Sequence, residues 1–258
     1  MGFARFEIRD ADGNVPKSAV PMWAGEIFDR YFGALHEQSS VTSASLFALY
    51  KLSDESSYRG RPDDLPGRIE TFSEAGMNPA FPERAADTAL RIRKQHGEPV
   101  YTQAVIAGWS YLEVLVEDLA VGSIVADKGL LVGERFAKVK RRASVTAETD
   151  LPERAAAAVA TLERQTSTPG GVPRFEVVLE AVRLGGQPPP EVVRPLTEMV
   201  NIRHVLLHRG GRVDRRLREN CEWLDVHIGD RLVIDDHKYV AYHSALSLYG
   251  VSLQGRFQ

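Results

Sequence analysis

The chain has 258 residues, with 32 Lys and Arg against 35 Asp and Glu, a formal net charge of −3. That balance excludes a uniformly basic nucleic-acid coat and an acidic disordered tail, and 43% hydrophobic with 26% charged residues is ordinary globular usage. The lone cysteine, Cys221, excludes an internal disulfide, and no run approaches the ~18 apolar residues of a membrane span.

These features lead us to expect a cytoplasmic protein without a membrane partner. The length suits one large domain or two small ones. Phe6 stands where a myristoylation motif requires Ser or Thr.

In chain order, Phe3, Phe6 and Ile8 before Asp12-Gly13-Asn14 predict a short strand and a turn. Ile27, Phe28, Tyr31, Phe32 and Leu35 recur at helical spacing and predict an amphipathic helix over 24–37, with a second over 41–52. The stretch 53–82 is rich in Ser, Gly, Pro and Asp and reads as a linker. We expect residues 1–80 to form an N-terminal extension of unknown role, and 84–258 to form the main domain.

Beyond the linker the pattern is mainly helical. Helices are predicted over 83–96, 101–126, 151–164, 174–184, 191–209, 214–226 and 236–253, with 231–234 extended. Val105, Trp109, Leu112, Val116 and Leu119 form one stripe of the second. Asp150 and Glu153 form a capping pair for the third. Gly185-Gly186 and Gly210-Gly211 end two others. Pro195 either kinks its helix or marks its first turn.

The mild net charge conceals two basic segments. Residues 201–220 carry six arginines against Asp214 and Glu219, and 134–142 carry five basic residues against Glu134, so each is locally +4. The first lies on Asn201-Ile-Arg203-His204-Val-Leu-Leu-His208-Arg209-Gly-Gly-Arg212-Val-Asp214. At ~100° per residue Leu196, Met199, Val200, Leu206 and Leu207 share a face, with Arg203 near its middle and His204 and His208 on its rim. An arginine in an apolar stripe requires an anion, and Glu113 on the Trp109 helix is one candidate.

Arg203, four intervening residues that begin with His204, then His208 followed by small residues and Asp214, resemble the signature of HEPN domains, the higher eukaryotes and prokaryotes nucleotide-binding family. The resemblance covers roughly 84–258. Family members often have Asn where this chain has His204. The resemblance implies a helical bundle, here with a small N-terminal extension, and a metal-independent endoribonuclease without a cofactor. It also implies a homodimer, RNA as partner, a role as toxin or antiviral-defence factor, and an antitoxin or regulatory partner.

His208 would then be the acid/base and Arg203 the phosphate clamp. His204 would assist, Glu113 and Asn201 would support, and Arg209, Arg212, Arg215 and Arg216 would attract RNA phosphate. Two other readings compete. His204 and His208 have the i, i+4 spacing of a helical metal pair, but Val205 follows the first His and no third ligand declares itself. Alternatively the domain is a non-catalytic interaction or nucleotide-binding module, with Arg203 paired to Glu113 and His208 closing a helix end.

Overall fold

A computed structural model describes residues 20–54, 81–137, 150–168 and 170–257. The expected strand near the N-terminus, most of the linker and the basic run 138–142 lie outside the described residues. The protein is mainly α-helical. Its helices are α1 (Met22–Asp54), α2 (Phe81–Lys94), α3 (Glu98–Ala126), α4 (Glu134–Ala137), α5 (Leu151–Gln165), α6 (Val172–Ala181), α7 (Pro190–His208), α8 (Arg215–Asn220) and α9 (Asp236–Gln254). Among the described residues none of these is long and apolar enough to cross a membrane.

The hub is α3. Its stripe is buried throughout, with Val105, Trp109, Leu112, Leu115, Val116 and Leu119 all in the core. Such a continuous apolar face needs cover on several sides, and α1, α5, α6, α7 and α9 all pack against it. Ala24, Ile27, Phe28, Tyr31 and Leu35 of α1 join the same core as Leu196 and Met199 of α7 and Leu246, Tyr249 and Leu253 of α9. Contact between α1 and α3 is close because Gly122 has no side chain: a Cβ there would stand 2.4 Å from the Trp23 ring.

Two elements differ from the sequence expectation, and one of the two alternatives for Pro195 falls away, since it is not in the first turn. The two helices expected over 24–37 and 41–52 are one continuous α1. The polar stretch Glu37 to Ser40 reads as a break, yet it contains neither Gly nor Pro, so nothing interrupts the i to i−4 hydrogen bonds. Pro195 lies inside α7, which runs through it.

The helix expected over 214–226 stops at Asn220. There the Asn220 carboxamide turns back to donate to Asn201 Oδ1 (2.8 Å), and Trp223 donates its indole N–H to Glu198 (2.5 Å). Both contacts are to α7 and pull the chain off the helical path. Between α8 and α9 the expected extended link survives as one antiparallel bridge, Arg212 to Arg231.

Polar locks fix the ends of the bundle. Asp150 caps α5, its Oδ1 accepting from Glu153 N at 2.9 Å, as the sequence predicts. Asp150→Ala lowers unfolding free energy by about 1 kcal/mol in urea denaturation, because the first-turn N–H then loses its acceptor. At the other end Arg256 forks onto Glu176 (2.7 and 2.8 Å), which also accepts from Tyr249 Oη (2.5 Å), tying the C-terminal turn to α6.

Candidate functional site

The C-terminal half of α7 carries the residues of interest. Its buried side at this level is formed by Asn201, Ile202 and Val205. Leu207, expected on the apolar face, is 48% exposed, and Leu206 is half-buried. Arg203 therefore sits at the edge of the buried arc and not at its middle. The arc rotates because α7 is covered by α9 and α8 as well as by α3, which a single-face projection does not include.

Glu113 is the anion beside Arg203, with Oε2 at 3.3 Å from Nη2. Its other oxygen accepts from Trp109 Nε1 at 2.8 Å. Trp109 is stacked on Phe175 of α6 (centroids 5.4 Å apart), so the carboxylate is held from a rigid base. The pair is not sealed: the Arg203 and Glu113 side chains are 29% and 42% exposed. Among the described residues, Arg203 Nε is buried without a hydrogen-bond partner.

Glu113 belongs to a cluster of carboxylates on α3 and α5 that Arg174 partly offsets. Burial, followed by the nearby Glu117 carboxylate, holds the Glu163 carboxyl above its usual range; Arg174 opposes this and Glu113 adds to it. The arrangement separates two contributions of Glu113. Glu113→Ala costs about 1–3 kcal/mol by stranding the Trp109 N–H. Glu113→Gln keeps an acceptor and costs below about 1 kcal/mol. Thermal melts of the two variants distinguish the cases.

The other side of the same helix end is basic. His204 and His208, one turn apart, face each other with ring centroids 5.0 Å apart at 50°. His208 is exposed and closes the last turn of α7. Burial first, then the Arg216 guanidinium and the His208 ring, hold the His204 imidazole below the usual histidine range; Asp214 pulls the other way and Arg209 adds to the depression. Arg209, Arg212, Arg215 and Arg216 are all exposed, and of these Arg209 and Arg216 act on His204. Arg209 reaches Asp214 (3.5 Å), and Arg212 donates to the Gly229 carbonyl (3.1 Å).

The sequence-derived set thus divides in two. Arg203 and Glu113 meet each other beside Trp109, whereas His204, His208 and Arg209 gather with Asp214. Arg203 and His208 are five residues apart, about 140° around the helix. Asn201 belongs to neither group. It is buried, donates to Thr197 O (2.8 Å) and accepts from Asn220, so it joins α7 to α8.

Two participants carried no role in the sequence reading. Trp109 was legible as core, and its i, i+4 spacing to Glu113 is the available signal for the hydrogen bond. Asp214 appeared only as part of the motif. Among the described residues no group of three or more His, Cys, Asp and Glu is placed to hold a metal ion. Cys221 is buried, and burial pushes its thiol up to about 12, which makes it a poor nucleophile.

No family model, no curated protein and no solved structure matches the chain. The functional reading therefore rests on the chemistry of this helix end.

Proposed function

We propose that the protein is a metal-independent endoribonuclease of HEPN type. The observation that carries this reading is the His204/His208 pair, two imidazoles 5.0 Å apart on an accessible helix end, with the Arg209 and Arg216 guanidiniums close enough to act on His204. RNA supplies its own nucleophile, so catalysis needs a base for the 2′-hydroxyl, an acid for the leaving oxygen and cations for the phosphorane.

His204, whose proton affinity is depressed, suits the base. It takes the 2′-hydroxyl proton as the 2′-oxygen bonds to phosphorus. His208, in its protonated form, then gives a proton to the 5′-oxygen as the P–O5′ bond breaks. The products are a 2′,3′-cyclic phosphate and a 5′-hydroxyl, and no redox partner is required. Arg209, Arg212, Arg215 and Arg216 would hold flanking phosphates.

Arg203, about 140° around α7 from His208 and paired with Glu113, would act as the clamp only by exchanging that carboxylate for a phosphate oxygen and reaching round the helix end. A second copy meeting the first near the half-exposed Leu207 would bring two such helix ends together. This chemistry suits a toxin or defence factor restrained by a partner protein in the cytoplasm.

The Arg203–Glu113–Trp109 arrangement favours a second reading, a non-catalytic interaction module in which Arg203 is already satisfied within the chain. Incubating the purified full chain with mixed tRNA and mRNA, with and without EDTA, beside His208→Ala separates the two. Cleavage by the parent that resists EDTA and is lost in the variant supports the enzyme. Equal cleavage by both removes the proposed site, and no cleavage by either favours the interaction module.

A further inference from the structure

The chain beyond His208 is built to return to α7. Gly210 and Gly211 both take left-handed backbone conformations (φ +59° and +74°), which reverse the direction of the chain at little steric cost. The returning segment is then stitched to 229–232 by three backbone hydrogen bonds: Val213 N to Asp230 O (2.9 Å), Gly229 N to Val213 O (2.8 Å) and Leu232 N to Gly211 O (2.8 Å). Val213 and Leu232 are buried beneath it.

This construction delivers Asp214 to a fixed place with its two oxygens in different roles. Oδ1 caps α8 by accepting from Leu217 N at 2.9 Å. Oδ2 faces back toward α7, 3.5 Å from Arg209 Nε and 3.9 Å from His204 Nε2. Capping requires only the first oxygen and no charge, since Asn and Ser cap as well as or nearly as well as Asp. The second oxygen has no part in that role, and the negative charge adds to it only the weak attraction of the helix dipole.

We propose that Asp214 is a positioning residue for His204, orienting its ring against His208 and favouring its protonated form during proton transfer. The groups that face His204 are His208 on its own helix, Arg209 at the helix end, Arg216 on α8 and Asp214 itself. The two arginines and burial oppose a positive imidazole, and Asp214 is the carboxylate set against them. At 3.9 Å the contact is electrostatic and not a hydrogen bond. The catalytic part of this proposal rests on the ribonuclease reading; the effect of Asp214 on His204 does not.

Asp214→Asn tests it, because the variant keeps a capping oxygen and removes the charge. The expected result is an unchanged melting temperature together with an altered His204 titration. Followed by NMR of the histidine ring protons, the His204 midpoint moves to lower pH, by more than that of His36, His96, His227, His237 or His243. The direction follows from removing the anion that favours the charged form.

In the cleavage assay the acid limb of the pH–rate profile moves the same way, and the plateau falls about tenfold as the base weakens. Asp214→Ser, a second capping replacement, gives the same displacement and guards against a folding defect peculiar to Asn. An unmoved His204 midpoint in both variants overturns the proposal, as does a moved midpoint with an unaltered rate profile. A moved midpoint in a chain whose parent cleaves no RNA leaves the Asp214–His204 contact standing and removes the ribonuclease reading instead.

Discussion

His208→Ala lowers the rate of RNA cleavage by about 10²–10⁴-fold, the range expected when a positioned acid or base is removed. The same change leaves stability within about 0.5 kcal/mol, because His208 is exposed and its ring packs beside that of His204 at the helix end. His204→Ala has a smaller but substantial effect on rate. The double variant loses little more than the worse single one, since two groups that serve one transition state are not additive. Single-turnover rates on one defined RNA, measured beside thermal melts, test all three. A His208→Ala protein that melts early would point to a structural use of that imidazole.

Trp109→Ala has the largest expected effect on stability, about 3–5 kcal/mol. The side chain is 1% exposed, stacks on Phe175 and donates to Glu113, so its loss opens a cavity between α3 and α6 and frees the carboxylate. For a chain of this size that corresponds to a melting temperature lower by roughly 6–20 °C. Trp109→Phe retains most of the packing but loses the N–H, and it costs far less. A drop of similar size in both variants would mean that the hydrogen bond, and not the filled volume, dominates.

Much of the helical frame was legible in the sequence because it depends on local rules. The α3 stripe shows a 3.6-residue period, Asp150 stands three residues before Glu153, and Gly210-Gly211 closes α7 in the left-handed conformation that glycine allows. Where neighbours decide, the sequence was a poorer guide. The length of α8 is set by Asn201 and Glu198, some twenty residues upstream, and the buried arc of α7 is set by several different helices.

The candidate site shows the same division. The sequence pointed to an anion beside Arg203, and Glu113 is there, although Arg203 sits at the edge of the buried arc and not within an apolar stripe. That Arg203 meets a carboxylate of α3 while His204 meets Arg216 of α8 was not readable, since the two partners come from separate elements. Asp214 is the clearest case. Its distance to His204 comes from a reversed turn and a bridge to Arg231, contacts that a helical projection of α7 does not contain.

The net charge of −3 shows how little an average says about a surface. Salt-sensitive RNA attraction at the arginines after His208 is compatible with a mildly acidic chain.

The most direct measurement is the chemistry of the cut ends. A defined single-stranded RNA incubated with the full chain in EDTA should yield fragments bearing a 2′,3′-cyclic phosphate and a 5′-hydroxyl, with neither formed by His208→Ala. Fragments with 5′-phosphates, or cyclic ends that persist undiminished in the variant, would contradict the account.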